Sequence, residues 1–286
     1  MREWDGRGLP PAAAARLERA NRSGVATSLL SVPSHLGVAV AGFSPVGEVM
    51  GCIVVHLGWS GYGGCGWYYG MAPPQYTVTS SNARGAFGFA PYVDAKRGAW
   101  ASALGRMLLE CRTLGGDGVV GVRLEERRLE DGSREMMALG TAVRAAGSLH
   151  LDKPLATTLA GQDLLKLMQG GYFPAAVIVG ISVGVRHDDW MTRQSTYLSA
   201  PNMEVPGYTD LVETVRRDVR GDLRRRLGEL GATGAILPTP MRLEIGEMEP
   251  GEGHRDHIAE ATLVATALVA TNPYPEHAPL SMLPLR

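Results

Sequence analysis

The chain has 286 residues, of which 45% are hydrophobic and 20% charged, so it can bury two cores of roughly 100 to 150 residues each. Its formal net charge is -1, which excludes a whole-protein field that attracts nucleic acid, anionic membranes or acidic substrates. Three cysteines and the lack of a signal-peptide pattern or a membrane-length apolar run predict a reduced, cytoplasmic protein without a nucleic-acid or membrane partner.

The first half of the chain predicts the order strand, helix, strand, strand. Before it, Pro10 and Pro11 open a short polar helix that ends at Gly24 and is expected to form a surface arm. A short helix over 31–42 and a long strand over 46–59 precede a loop over 60–92. Apolar residues at helical spacing then predict an amphipathic helix, and they are Trp100, Leu104, Met107, Leu108, Cys111 and Leu114. Two strands joined by an Asp-Gly turn complete this half.

The second half repeats this order after a leucine-rich bridge. A short helix over 162–171, a strand over 175–187 and a loop over 189–208 lead into a long helix over 208–231. Strands over 233–245 and 259–272 follow. Pro238 and Pro240 predict that the first of these strands is bulged or lies at an edge, because proline cannot donate to a strand ladder.

The junctions of the two halves match residue by residue, as a tandem duplication predicts. The matching pairs are Leu114-Gly115 with Leu230-Gly231, Gly118 with Gly234, Arg123-Leu124-Glu125 with Arg242-Leu243-Glu244, and Thr141-Ala142 with Thr266-Ala267. We therefore predict an N-terminal arm over 1–26, domains over 27–150 and 151–272, and a proline-rich tail over 273–286. The tail is expected to be extended or disordered.

Two stretches resemble a known family. "RMLLECRTLGGDGVVGVRLEE" followed by "MMALGTAV" is similar to the signature of the YbjQ-type heavy-metal-binding family, and "GFSPVGEVMGCIVVHLGW" resembles its first strand. The resemblance covers most of 27–146, whereas 155–272 is similar only in pattern. It implies an α+β fold of two tandem dodecin-like β-α-β-β domains, each a helix on a small antiparallel sheet, whose members form closed, typically pentameric rings.

Cys52, His56 and Cys65 are the first candidate metal ligands. Cys52 and His56 lie four residues apart on a predicted strand and so share a face, and Cys65 follows in a glycine-rich loop. Thiolate and imidazole suit a divalent or soft metal ion such as Zn or Cu, although buried free cysteines are also common. His254 and His257 form a weaker pair in the hairpin predicted between the last two strands, where a solvated tip is the more frequent outcome.

Two further segments have ordinary structural explanations. "RRDVRGDLRRR" holds six arginines, but interleaved acids favour a solvated helix face with i,i+4 ion pairs over a phosphate site. The aromatic residues of the loop over 58–70 could stack on a flat ligand, as in dodecin-like flavin carriers, or pack at a subunit contact, and we favour the contact. No catalytic motif supports an enzyme built on these loops.

The sequence therefore predicts a non-enzymatic, self-assembling protein that forms a ring-like homo-oligomer of the pentamer type and binds a metal or small ligand. The alternative is a heavy-metal sensor or sequestration protein that uses Cys52, His56 and Cys65.

Overall fold

The computed structural model describes residues 4–6, 8–24, 27–58, 78–81, 89–147, 153–197, 200–251 and 254–271. In this part of the chain, no helix is both long and apolar enough to cross a membrane. The elements in chain order are α1 (Pro11–Ser23), α2 (Val32–Val40), β1 (Phe43–Val55), β2 (Thr79–Ser80), α3 (Phe89–Thr113), β3 (Gly118–Arg128), β4 (Arg134–Ala145), β5 (Leu155–Ala156), α4 (Gly161–Gln169), β6 (Tyr172–His187), α5 (Trp190–Ser195), α6 (Pro206–Glu229), β7 (Gly234–Ile236), β8 (Arg242–Gly251) and β9 (His254–Ala270).

Two sheets organise these elements, and the predicted α+β class is confirmed. The first sheet has the strand order β1-β4-β3-β5, and the second has the order β2-β6-β9-β7 with β8 also paired to β9. Helix α3 packs on β1 and β4, and α6 packs on β6 and β9. The main strand pairs are antiparallel, so each half of the chain is a helix on a small antiparallel sheet.

Each half contributes a short strand to the sheet of the other half. Strand β2, from the first half, pairs with the end of β6 through Thr79 and Ser80. Strand β5, near the start of the second half, pairs in parallel with the start of β3 through Leu155 and Ala156. The two sheets are thus joined by backbone hydrogen bonds in both directions, which the sequence did not indicate.

Corresponding local features recur in the two halves. The register between β1 and β4 shifts after Pro45, and the register between β6 and β9 shifts after Pro174. The hydroxyl of Thr141 accepts a hydrogen bond of 3.0 Å from a backbone N–H that precedes α2, and the hydroxyl of Thr266 accepts one of 3.0 Å from a backbone N–H that precedes α4. These matches agree with the predicted duplication, whereas the domain boundaries remain predictions.

A glycine lets each long helix approach the first strand of its sheet. A Cβ at Gly51 would overlap the backbone of α3 at Ala103, and a Cβ at Gly180 would lie 3.1 Å from the backbone oxygen of Val219 in α6. The side chains around these contacts form two of the buried apolar clusters. A third cluster lies between the halves, where Trp100 of α3 packs with Ile181 of β6.

Several predicted boundaries were wrong. Strand β1 ends at Val55, short of the predicted limit, and α3 begins at Phe89, before the predicted helical run. The predicted strand over 233–245 is two strands, because Pro238 and Pro240 interrupt the ladder to β9. Helix α5 lies in a segment that the sequence predicted to be a loop.

The N-terminal arm packs on the rest of the protein, since Leu17 of α1 is 2% exposed.

Candidate functional site

The structure describes two of the three metal ligands predicted in the first half, so that site stays a prediction. Cys52 is half-buried on β1, and its thiol donates to Oε1 of Glu135 at 3.2 Å. Burial and that carboxylate raise the pKa of Cys52 to about 11, so the group is a protonated thiol at neutral pH. His56 is exposed and follows the end of β1, so strand alternation no longer places it with Cys52. Cys65 lies outside the described residues.

Cys111 has a structural role. It lies on the buried face of α3, and its thiol donates to the carbonyl oxygen of Gly118 at 3.3 Å. Burial raises the pKa of Cys111 to about 12. Such a thiol behaves as a small apolar side chain.

The second predicted pair lies in the hairpin formed by β8 and β9. His254 is the first residue of β9 and is paired with Gly251, and His257 is paired with Glu247. The side chain of His254 lies outside the described part, whereas His257 is 8% exposed. In the described residues, no group of three or more His, Cys, Asp or Glu side chains is arranged to hold a metal ion.

His257 instead belongs to a buried polar group that we call the Asp188 cluster, made of Asp188, Tyr208, Arg255 and His257. Asp188 has no exposed side-chain surface, and its carboxylate accepts from Arg255 Nε at 2.7 Å and from the Tyr208 hydroxyl at 3.3 Å. Nδ1 of His257 lies 2.9 Å from the other oxygen. The Tyr208 and His257 rings have centroids 4.3 Å apart. Burial and the Asp188 carboxylate raise the pKa of Tyr208 to about 12.

The Asp188 cluster supports helix α5. Asp189 is the N-cap of α5 and accepts from the backbone N–H of Thr192 at 2.7 Å. The Asp189 carboxylate also pairs with Arg186 at 2.9 Å, and Arg255 donates to the hydroxyl of Thr196 at the end of the helix. Both ends of this short helix are thus tied to the sheet, so its exposed side chains are held in place before any partner binds.

Large apolar side chains are exposed on α5 and in the segment that follows it. Trp190 and Met191 are each 72% exposed, Tyr197 is 66% exposed and Met203 is 57% exposed. We call these four residues the α5 patch. They expose on the order of 500 Å² of side chain, which is as large as the biggest apolar patch of a typical monomer. Tryptophan, tyrosine and methionine are enriched where proteins bind each other.

Side chains already hydrogen-bond some of the outward-facing backbone groups of β1 and β6. Strand β1 is an edge, but its backbone N–H at Met50 donates to Glu110 of α3 at 2.8 Å, and its carbonyl at Cys52 accepts from Arg106. On β6, the N–H of Ile181 donates to Asp222 of α6 at 3.2 Å. Charged side chains that occupy edge groups in this way prevent the addition of another strand.

The arginine-rich face of α6 forms the predicted ion pairs. Arg225 pairs with Glu229 and with Asp222, and Arg216 pairs with Glu213. Asp222 is the unexpected member, because its side chain is 1% exposed and also faces Arg97 of α3. This face therefore links the two long helices. Four of its arginines pair with acids of the same chain, and they are Arg216, Arg217, Arg225 and Arg226.

One family model matches part of the first half of the chain. The family model "YbjQ_1: Putative heavy-metal-binding" matches residues 85–146, which span α3 to β4. The matched range contains none of the five predicted ligands.

A relative that matches most of the chain shows its family. The "Encapsulin nanocompartment protein Rv1762c" of Mycobacterium tuberculosis is 31% identical over 236 residues, which are 80% of this chain and 81% of that protein. The chain belongs to the family of that protein. No solved structure matches the chain.

Proposed function

We propose that this protein is a self-assembling, non-enzymatic subunit that forms a ring-like homo-oligomer of the pentamer type in the cytoplasm. The α5 patch is the observation that carries the proposal, because the largest apolar surface of a protein often marks a site where a partner binds. The name of the Mycobacterium tuberculosis relative, a nanocompartment protein, supports a second copy of the chain as that partner. Rings of this kind would be the units of a protein compartment.

The patch suits a head-to-tail contact. A contact between different surfaces of identical subunits closes into a ring when its rotation divides a full turn. Glu110, Arg106 and Asp222 hydrogen-bond outward-facing backbone groups of β1 and β6. Assembly through side chains is therefore favoured over assembly through strand addition. The aromatic loop over 58–70, for which the sequence favours a subunit contact, lies outside the described residues apart from Gly58.

Native mass spectrometry of the untreated protein tests this function. We expect a closed oligomer in the wild type and a smaller species in Trp190→Lys, since a charge at the centre of an apolar contact is costly. The matched control is Leu237→Lys, which changes a leucine that is 49% exposed outside the patch. A monomeric wild type at micromolar concentration would refute the proposal.

Metal binding through Cys52, His56 and Cys65 is the second proposal, and the family description supports it. Cys52 would have to lose its proton and its hydrogen bond to Glu135 before it could bind Zn or Cu. Stoichiometric metal that survives dialysis in the wild type but not in the Cys52→Ser, Cys65→Ser variant would support this proposal. Equal binding by both proteins would remove it.

A further inference from the structure

Strand β1 lies at the edge of the first sheet and is almost uncharged. It pairs with β4 on one side, and Glu48 is the one charged residue in its 13-residue sequence, FSPVGEVMGCIVV. A long apolar edge strand pairs readily with a strand of another molecule unless something covers it. This edge therefore needs protection from another part of the chain.

A buried carboxylate of α3 connects the β1 edge to the N-terminal arm. Glu110 accepts a hydrogen bond of 2.8 Å from the backbone N–H of Met50, and the same oxygen pairs with Arg16 of α1. The Glu110 side chain has no exposed surface. Because a buried carboxylate that loses its cation is costly, the ion pair with Arg16 holds both the arm and Glu110 at the edge.

An arginine one turn earlier on α3 makes the same kind of connection. Arg106 donates to the carbonyl oxygen of Cys52 on β1 and, at 3.5 Å, to the carbonyl oxygen of Gly6 in the arm. Its guanidinium carbon also lies 4.8 Å from the centroid of the Trp4 ring, where a cation is attracted to the aromatic face. Two side chains of α3 thus each bind one backbone group of the β1 edge and one part of the arm.

The attachments of the arm are partly open to water. Trp4 is 37% exposed and the Arg16 side chain is 34% exposed, whereas Leu17 adds a buried apolar contact. Segments held by partly exposed contacts open at a lower free energy than the core strands of the same protein. The arm can therefore leave while the sheet stays folded.

We propose that the N-terminal arm is an autoinhibitory strap, which closes the β1 edge and whose release lets β1 pair with β1 of a second copy. The strand itself favours that partner. An antiparallel pair centred on Gly51 places Glu48 of one copy opposite Val54 of the other, so no like charges meet. The strap concerns a different surface from the α5 patch and does not rest on the proposed ring.

Mass photometry of the full-length Trp4→Ala, Arg16→Glu protein, the strap variant, tests the proposal. Arg16→Glu places a second carboxylate beside Glu110 and so repels the arm. We expect particles of roughly twice the wild-type mass, as a two-fold contact produces. The matched control is Trp4→Ala, Arg19→Glu, because Arg19 lies on the exposed side of α1, and it should keep the wild-type mass. A strap variant with the wild-type mass overturns the proposal.

A second substitution separates strand pairing from other kinds of association. Val54 is 54% exposed on β1, and lysine on an edge strand opposes pairing. Val54→Lys in the strap variant should therefore restore the wild-type mass. Val40→Lys, at a valine of α2 that is 70% exposed, should leave the larger particles unchanged. Equal effects of the two lysines contradict pairing through β1.

Hydrogen exchange covers the case in which the strap variant does not fold. The single variant Trp4→Ala changes a partly exposed side chain, and in it the Met50 amide should exchange roughly tenfold faster than in the wild type. The amide of Leu139, which faces Met50 in β4, should not change. Unaltered exchange at Met50 overturns the strap. A monomeric wild type would instead refute the ring and leave this comparison valid.

Discussion

Removal of the Lys96 ammonium group should destabilise the whole molecule. The side chain of Lys96 on α3 is 1% exposed and lies between Glu126 of the first sheet and Glu260 of the second. Its nitrogen is 2.9 Å from Oε2 of Glu126 and is also paired with Glu260. In Lys96→Met both carboxylates would stay buried without their shared cation, and that loss is the source of the expected effect.

The expected loss of unfolding free energy is about 3 to 5 kcal/mol, the usual cost of leaving a buried charge without its partner. The lower end is expected, because Arg134 still pairs with Glu126 and the hydroxyl of Tyr92 still donates to Glu260 at 2.6 Å. Methionine retains most of the apolar stem of the lysine, so the packing change is small.

Urea unfolding followed by circular dichroism measures this loss, with Lys166→Met as the control because Lys166 is exposed on α4.

The pH dependence of the unfolding free energy is a second readout. Burial opposes a charge on Glu126, but its pairs with Lys96 and Arg134 more than offset this and lower its pKa. Its contribution is therefore present above the ordinary carboxyl pKa and is lost as the pH falls through the lowered value. A loss below about 1 kcal/mol in Lys96→Met would show that the network contributes little.

Three further predictions have defined outcomes. Gly51→Ala should lower the free energy of unfolding by about 1 to 3 kcal/mol, because the new methyl group pushes α3 away. Gly105→Ala, on the open side of α3, should raise it by about 0.5 to 1 kcal/mol, and a urea midpoint of Gly51→Ala at or above that of Gly105→Ala would contradict this. Alkylation of Cys52 in the folded protein, measured by intact mass, should be slow at pH 7 and should become faster as the pH is raised towards the Cys52 pKa of about 11. At a given pH, alkylation should be faster in Glu135→Gln than in the wild type. Asp188→Asn should lower the free energy of unfolding by about 3 to 5 kcal/mol, and an unchanged urea midpoint would contradict the role of the cluster.

Helix α3 shows how far periodicity reaches. The spacing of Trp100, Met107 and Cys111 predicted its buried face, and these three side chains are buried. The same periodicity did not indicate Lys96 or Glu110, which are 1% and 0% exposed. A charged residue is assigned to the solvent by default, and only its partners in other elements make its burial favourable.

The candidate surfaces were less accessible to sequence reasoning than the fold. Asp188 and His257 are 69 positions apart, so no local spacing indicates that they meet. Cys52 and His56 were linked by strand alternation, but β1 ends at Val55. The α5 patch lies in a segment predicted to be a loop, where apolar residues carry no periodic signal.

The sequence alone determined the order of the long helices and strands, the amphipathic faces of α3 and α6 and the similarity of the two halves. These features follow from spacing and junction residues, which are local properties of the chain. Tertiary structure decided that β2 and β5 cross between the sheets, that Lys96 bridges the halves and that the edge of β1 is occupied. It also decided that Leu36 and Trp190 remain in solvent. Exposure and strand pairing depend on which distant segments meet, and a one-dimensional pattern does not contain that information.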